Sequence, residues 1–187
     1  MPVRRLLEKF ASCNVMKNHL FFLNTTTCVV QLSLGDFLQQ LIHGDIAEKG
    51  WDHMRSARMG GTGFVIGPMM TAWYIYLDGK YVGRRLPIVI RKTLVDACTN
   101  PVFSSTIITV SGMLEGKHFF EAFREYTSKM FHILKVDLSV WPPSQFVSFL
   151  LLPPRLRVVY INAVYLIYSC VISFIKHNPK SEVEKYL

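Results

Sequence analysis

Charged residues are scarce in this chain: Lys, Arg, Asp and Glu make up 18% of its 187 residues, whereas half of the residues are hydrophobic. This composition excludes a disordered protein or a coiled coil, and it is unusual for a soluble globule. The length predicts one domain. Lys and Arg outnumber Asp and Glu by 21 to 13, which gives a net charge of +8. On an apolar chain, this excess is typical of loops that face lipid headgroups.

Cysteine pairs and catalytic motifs are also lacking. The four cysteines lie far apart, with no C-x-x-C, so the sequence indicates neither a zinc site nor a disulfide framework. It contains no G-x-S-x-G, no H-E-x-x-H and no phosphate-binding glycine loop, and its six histidines form no i, i+4 pair. We therefore predict that the protein is not an enzyme and binds neither a cofactor nor a metal.

The few charges leave long gaps between them. Four charge-free windows suit a helix of roughly 20 residues that crosses a bilayer with its flanking charges at the headgroups: 18–35, 59–77, 97–114 and 158–175. Polar groups in the first and third windows leave a buried helix of a soluble core as an alternative. The last window is apolar nearly all round, which favours a membrane protein. We predict an all-α membrane protein with about four transmembrane helices, whose termini share one side.

A fifth window, 138–154, is bracketed by Pro142–Pro143 and Pro153–Pro154. Because proline interrupts the hydrogen-bond ladder of a helix, this spacing predicts a broken, half-inserted segment before the last span. Just upstream, apolar residues recur at helical spacing in 117–135 opposite a charged face, which predicts an amphipathic helix in the headgroup plane. A solvent-facing helix docked on a soluble core is the alternative interpretation.

The first 17 residues carry four basic side chains against one glutamate. This composition resembles a mitochondrial targeting sequence, and it is equally typical of the segment before a first span. We therefore divide the chain into a basic N-terminal segment (1–17), a single helical membrane domain (18–176) and a polar C-terminal tail (177–187).

Two aspartates, Asp36 and Asp96, lie at the edges of predicted spans. An unpaired carboxylate inside a membrane costs about 2.5–3.5 kcal/mol, so each aspartate needs a partner. Lys92 precedes Asp96 by one helical turn, whereas Asp36 has no cation within a turn. We therefore expect the partner of Asp36 to come from another helix. Both aspartates are interpreted either as the lining of a polar passage or as buried structural groups.

The loop 51–59 contains the candidate partners of Asp36, which are Arg55 and Arg58, just before the second window. Asp52 and Arg55 have the i, i+3 spacing of a pair within one helix. The loop is interpreted either as a site for an anion or a lipid phosphate, or as interfacial anchors with a helix-cap pair. After it, Gly63 and Gly67 form a G-x-x-x-G pair, which predicts close packing of a second helix.

Several motifs follow one another along the chain: G-D-F-L-Q-Q (35–40), W-D-H-M-R-S-A-R-M (51–59), G-P-M-M-T-A-W-Y-I-Y-L-D (67–78), R-K-T-L-V-D (91–96), L-E-G (114–116) and V-W-P-P-S-Q-F-V-S-F-L-L-L-P-P-R-L-R-V-V-Y-I-N (140–162). In these motifs the chain resembles the Mpv17/PMP22 family of small membrane proteins of mitochondria and peroxisomes, and most closely its Mpv17-like protein two branch. The chain departs from the family pattern at Thr71, Ala97, Ser148 and Tyr168, where the family has His, Gln, Asn and Trp.

The resemblance implies a helical, multi-span protein without a cofactor that is channel-like for small solutes. The branch implies the mitochondrial inner membrane, with the peroxisomal membrane as the alternative, and a role in mitochondrial homeostasis through ribosome assembly and translation. The expected partners are the lipid bilayer, the mitochondrial ribosome and a second copy of the chain, without sequence-specific nucleic acid. The residues of the family motifs and of the candidate polar passage are Gly35, Asp36, Gln40, Trp51, Asp52, Arg55, Arg58, Gly67, Pro68, Trp73, Tyr74, Lys92, Asp96, Pro101, Gly116, Trp141, Pro142, Gln145, Pro153 and Arg157.

Overall fold

The computed structural model describes residues 2–81, 86–151, 154–179, 181 and 183, and the side chains among them except those of 2–20, 78, 149–151 and 154–159. Every element in these ranges is a helix: α1 (Pro2–His43), α2 (Asp45–Lys49), α3 (His53–Lys80), α4 (Leu86–Leu114), α5 (Phe119–Leu151) and α6 (Pro154–His177). The predicted all-α fold is confirmed. In the ranges given, no helix combines the length and the apolar character needed to span a membrane. The four transmembrane helices therefore stay a prediction.

The prediction of an interfacial helix followed by a broken segment is wrong. α5 is one helix from Phe119 to Leu151 and continues through Pro142 and Pro143. Each proline removes one N–H from the hydrogen-bond ladder, but α5 packs against both α4 and α6, and this packing stabilises the helix across the gap. α6 begins at Pro154, where the missing N–H would have had no partner within the helix.

The five long helices form a closed ring. α1 packs mainly against α3 and α6, α4 against α3 and α5, and α5 against α6, while the short α2 packs against α1. Short connections make successive long helices run in alternating directions, so the start of α1 and the end of α6 lie at opposite ends of the ring. The expectation that both termini share one side is therefore wrong, because the segment with Pro142 and Pro143 belongs to a fifth full-length helix.

Small residues bring α1 and α3 together. A Cβ atom on Gly63 would lie 2.6 Å from the Cα of Val29, and one on Gly67 would lie 2.5 Å from the Cα of Thr25. Real Cβ atoms do not approach backbone atoms this closely, so a larger residue would force the helices apart. The close packing predicted for the G-x-x-x-G pair is confirmed.

The surface of the ring is unusually apolar and its interior unusually polar. Large hydrophobic side chains that are at least 60% exposed occur on all five long helices and include Phe22, Ile42, Phe64, Leu94, Phe120, Phe131, Leu138, Phe146 and Ile167. Fully or almost fully buried polar side chains include Asp36, Gln40, Thr62, Ser104, Ser111, Asp137, Ser169 and Ser173. A soluble domain rarely buries carboxylates while exposing so many large apolar side chains.

Candidate functional site

The carboxylate of Asp36 is fully buried between α1, α3 and α6. Its Oδ2 accepts hydrogen bonds from Gln40 Nε2 and Ser56 Oγ, each at 2.8 Å. Its Oδ1 accepts from Arg55 Nε at 3.0 Å and from the hydroxyl of Ser173. The expectation that Asp36 pairs with a cation of another helix is confirmed, and Arg55 is that cation.

The start of α3 is fixed to α1 through Gln40. Its amide donates to the carbonyl oxygen of Asp52 at 3.2 Å and accepts from the Asp52 N–H at 3.0 Å. Asp52 Oδ1 in turn accepts from the backbone N–H of Arg55 at 2.9 Å, and so caps the helix. Trp51 Nε1 donates to Ser56 Oγ at 3.1 Å. The expected helix-cap pair is therefore present, as a bond to the backbone.

His177, the last residue of α6, links Asp36 to a second charged cluster. Its Nδ1 lies 3.7 Å from Asp36 Oδ1 and 3.0 Å from the carbonyl oxygen of Ser173. Its Nε2 lies 3.3 Å from Glu115 Oε1, in the turn after α4. One imidazole thus joins α1, α4 and α6 at this end of the ring.

Two lysines share two carboxylates in this second cluster. Lys176 Nζ lies 2.9 Å from Glu115 Oε2 and 3.1 Å from Glu125 Oε1, and Lys117 Nζ lies 3.1 Å and 2.7 Å from Oε2 of the same glutamates. Burial alone would raise the pKa of Glu115, but hydrogen bonds from His177 and Lys176 outweigh it and hold that pKa well below its usual range. The pKa of Glu125 is lowered as well, because Lys117 and Lys176 outweigh burial.

Lys129 caps the C-terminal end of α6. Its Nζ donates to the carbonyl oxygens of Ile175 at 2.7 Å, Lys176 at 2.8 Å and Asn178 at 3.0 Å. A cation is favourable here, because the last carbonyl groups of a helix lack partners within it and carry partial negative charge. Burial lowers the pKa of Lys129 despite the negative charge of Glu125 nearby.

These groups surround a cavity of about 450 Å³, which we name the charged cavity. Its lining residues are Asp52, Arg55, Arg58, Glu115, Lys117, Glu125, Lys129, Lys176, His177, Asn178 and Pro179. Five lysine or arginine side chains face three carboxylates across it. The sequence analysis had singled out Asp52, Arg55 and Arg58 from this set. The remainder come from the turn between α4 and α5, from α5, from α6 and from the two residues after it, all far away in sequence.

A second cavity of about 380 Å³, which we name the uncharged cavity, lies toward the other end of the ring. Its lining residues are Asn24, Thr27, Cys28, Gln31, Met70, Thr71, Tyr74, Trp141, Gln145, Ser148, Ile161, Asn162 and Tyr165. Gln31 Nε2 donates to Asn162 Oδ1 at 3.2 Å, and Asn24 Nδ2 donates to Thr71 Oγ1 at 3.2 Å. The buried hydroxyl of Tyr165 has no hydrogen-bond partner among the residues that the structure describes.

The two cavities have no lining residue in common. Buried hydroxyl groups such as those of Thr62 and Ser169 lie between them, and so do apolar side chains that are almost completely buried: Leu32, Met59, Ile66, Ile107 and Ile172. These apolar side chains belong to one packed cluster, which we name the apolar constriction. The two cavities are therefore separate in this structure.

Asp96 lies apart from Asp36. Its Oδ1 accepts a hydrogen bond from Trp73 Nε1 at 3.0 Å, and it lines a small cavity of about 60 Å³ with Tyr74, Lys92 and Gln145. The structure thus brings several of the predicted site residues together here. It does not bring Asp36 and Asp96 to one cavity, so a single passage lined by both is not observed.

Several of the remaining predicted residues are packing or turn positions. A Cβ atom on Gly35 would lie 2.4 Å from that of Ser169, so this glycine allows α1 and α6 to touch. Gly116, in the turn after α4, has a φ of 90°, which favours glycine. Pro101 lies inside α4, where its carbonyl oxygen accepts from the Tyr126 hydroxyl at 3.2 Å.

Trp141, from the motif at 140–162, forms an aromatic cluster with two tyrosines of α6. The ring of Trp141 packs against Tyr168 with ring centroids 5.2 Å apart, and against Tyr165 at 6.0 Å. Pro153 and the side chain of Arg157 lie outside the part of the chain that is described, so their predicted roles stay predictions.

The sequence analysis missed Asp137, which is 1% exposed. Its Oδ1 accepts from the Tyr168 hydroxyl at 2.7 Å, and its Oδ2 accepts from Ser104 Oγ at 2.8 Å. Asp137 directly precedes the fifth charge-free window, the same signal that marked Asp36 and Asp96. It lies in the two residues between the predicted interfacial helix (117–135) and that window.

Comparison with known proteins supports the resemblance seen in the motifs. The profile of the Mpv17 / PMP22 family matches residues 112–173. "PXMP2/4 family protein 2" of Dictyostelium discoideum is 29% identical over 90% of this chain and 91% of its own length. Protein SYM1 of Yarrowia lipolytica is 27% identical over 81% of this chain and 70% of its own. No solved structure matches the chain.

A further relative, the "Mitochondrial inner membrane protein Mpv17" of Drosophila melanogaster, is 25% identical over 77% of this chain and 88% of its own length. Proteins of the same name in Xenopus laevis and Danio rerio also match. The predicted location in the mitochondrial inner membrane is thereby confirmed, whereas the closer resemblance to the Mpv17-like protein two branch stays a prediction. In sequence, the chain is similar to proteins of the Mpv17 / PMP22 family.

Proposed function

We propose that this protein crosses the mitochondrial inner membrane as a ring of five helices and forms a conduit for small solutes along the axis of the ring. The observation that carries the proposal is the closed ring itself, with a polar cavity toward each end. No catalytic step and no cofactor are part of this function. A second copy of the chain is a further proposed partner.

The outer surface supports a lipid environment. Phe64 on α3, Leu94 on α4 and Ile167 on α6 are each at least 60% exposed. Exposing these apolar side chains to water costs free energy, and contact with lipid removes that cost. In a ring with polar cavities, each helix needs an apolar stripe only on its outward face, because its other face contacts protein or water. Buried groups such as Asp36 and Asp137 are then expected on the inward side, paired with donors from neighbouring helices.

The interior supports a conduit with a gate. Pockets of a few hundred Å³ hold small molecules, and each large cavity here is of that size. The apolar constriction separates the two cavities, and apolar constrictions close channels because water leaves them. The conformation described here is the closed one in this proposal, and opening requires Ile66 and Ile107 to move out of the axis.

Reconstitution tests the proposal. Purified protein in planar bilayers is expected to conduct in brief openings, and replacing Ile66 or Ile107 by alanine is expected to raise the open probability several-fold. Ile167→Ala is the matched control, because Ile167 is exposed on the outer face. Thermal unfolding of each variant in detergent verifies its fold. Folded wild type and folded variants that all leave the bilayer silent would refute the conduit.

A second candidate function, a membrane-bound factor for mitochondrial ribosome assembly and translation, rests on the net charge of +8. Basic loops bind the phosphate backbone of RNA with an affinity that falls as salt rises. The protein is then expected to co-sediment with mitochondrial ribosomal subunits at low salt and to dissociate at high salt. Absence of co-sedimentation, together with normal mitochondrial translation in cells without the protein, would exclude this role.

A further inference from the structure

Lysine and arginine side chains outnumber carboxylates in the lining of the charged cavity. Five lysine or arginine side chains line it, against Asp52, Glu115 and Glu125. Arg55 is held by carboxylates on other elements, with Nε 3.0 Å from Asp36 and Nη1 3.5 Å from Asp45. The two glutamates are shared by two lysines, as described above. Two cations of the cavity, Arg58 and Lys129, are not part of these ion pairs.

Arg58 is half-buried in the cavity wall, and its guanidinium group makes no ion pair with any residue in the described ranges. It lies about one helical turn after Arg55, whose guanidinium is fixed on Asp36. A guanidinium group has five N–H donors in a rigid plane, which suit the oxygen atoms of a phosphate or carboxylate group. The donors of Arg58 are free for a ligand that enters the cavity.

Lys129 adds positive charge without offering a contact. Its three N–H groups are used by the carbonyl oxygens at the end of α6, and its nearest carboxylate oxygen, on Glu125, is 3.8 Å away. Carbonyl groups satisfy its hydrogen bonds but do not cancel its net charge. Because Asp36 and Asp45 neutralise Arg55, the carboxylate of Asp52 remains beside Arg58 and Lys129, and the cavity has no excess of two positive charges. The feature that suits an anion is the guanidinium of Arg58, which has no ion pair within the described ranges.

We propose that the charged cavity binds a phosphate group, with the guanidinium of Arg58 as its principal contact. Inorganic phosphate and phosphate monoesters offer a guanidinium group more terminal oxygen atoms than the phosphodiester of a lipid headgroup does, so a soluble phosphate is the expected occupant. The volume of about 450 Å³ leaves room for an organic group beyond the phosphate. The inference deepens the proposed function, on which it rests for the step from binding to permeation, by naming the class of solute.

Binding is tested with the full chain in a neutral detergent, by calorimetric titration with inorganic phosphate at constant ionic strength, with chloride as the reference anion. Arg58→Gln is expected to weaken phosphate binding about tenfold or more, because it removes charge-assisted hydrogen bonds. Arg58→Lys is expected to retain part of the affinity. Arg124→Gln is the matched control, because Arg124 is exposed on α5 and does not line the cavity. Equal affinity of wild type and Arg58→Gln would overturn the proposal.

Nanodiscs distinguish the source of the phosphate group. In discs of neutral lipid, inorganic phosphate is expected to bind as it does in detergent, and addition of an anionic phospholipid is expected to leave that affinity within about twofold. If the anionic lipid abolishes phosphate binding in the wild type, the occupant is a headgroup and the assignment to a soluble phosphate is overturned.

Permeation separates this inference from the proposed conduit. In bilayers with a salt gradient, the reversal potential of the wild type is expected to favour anions, and Arg58→Gln is expected to reduce that preference at least twofold. Conductance that prefers cations in the wild type would overturn the inference and leave the conduit in place. Phosphate binding by a protein that never conducts would support the site and overturn the conduit.

Discussion

Arg55 Nε donates a hydrogen bond to Asp36 Oδ1 at 3.0 Å and so joins α3 to a carboxylate of α1 that has no exposed surface. Replacing Arg55 by methionine leaves that charge buried without its cation, which typically costs about 3–5 kcal/mol of unfolding free energy. The measurement is equilibrium unfolding in detergent. Because both side chains belong to one interaction, the double variant Asp36→Asn/Arg55→Met is expected to lose less than the sum of the single losses. Additive losses would contradict the pairing.

The contact between α1 and α3 depends on Gly63. A Cβ atom there would lie 2.6 Å from both Cα and N of Val29, so Gly63→Ala is expected to destabilise the protein by about 1–3 kcal/mol. Gly79, in the same helix, has no atom within 4 Å of the equivalent position, and Gly79→Ala is expected to leave stability unchanged or slightly raised. Thermal unfolding of both variants in one detergent gives the comparison. Equal effects of the two substitutions would be inconsistent with the described packing.

Lys129 stabilises the end of α6. Lys129→Met keeps the length of the side chain but leaves carbonyl oxygens of Ile175 and Lys176 without their donor, a loss of about 1–3 kcal/mol. Lys135→Met on the exposed side of α5 is the control and is expected to change little. Amide hydrogen exchange in the last turn of α6 measures this loss more directly than unfolding of the whole protein does. Unchanged protection there in Lys129→Met would show that the cap is dispensable.

Acid is expected to loosen the charged cavity. The pKa values of Glu115 and Glu125 are lowered in the folded state, so their contribution to stability is complete above their ordinary value of about 4.5 and is lost as the pH falls below it. The midpoint of thermal unfolding is therefore expected to fall between pH 5 and pH 3. Glu115→Gln is expected to weaken that dependence, and Glu121→Gln, at an exposed position of α5, is expected to preserve it. A midpoint that does not change with pH would argue against the shared ion pairs.

The sequence predicted local features well where a single element contains the signal. The absence of charge from long windows predicted helices, and the G-x-x-x-G pair predicted the close approach that Gly63 makes. The pairing of Asp36 with Arg55 was also within reach, because a buried carboxylate requires a cation and the chain has few of them. The prediction of this pair depends only on the free-energy cost of burying a charged group without a partner.

The features that depend on tertiary packing were not predictable in this way. The cost of Pro142 and Pro143 to a helix is visible in the sequence, but the neighbouring helices that offset it are not. The contact of Lys176 with Glu115 joins positions 61 residues apart, and no local pattern marks it. The charged cavity is assembled from several such contacts, so only Asp52, Arg55 and Arg58, at the start of α3, were identified from the sequence.

The central claim is that lipid contacts the outer face of the ring and water reaches its interior. Spin labels in liposomes test this claim. Single cysteines are introduced into a cysteine-free background and labelled at four positions. Phe64 and Ile167 face outward, whereas Arg58 and Asn162 line the two cavities. Each helix, α3 and α6, thus carries one outward and one inward label. We expect the outward labels to collide mainly with dissolved oxygen and the inward labels mainly with a water-soluble nickel complex. Outward labels as exposed to nickel as the inward ones would contradict the account.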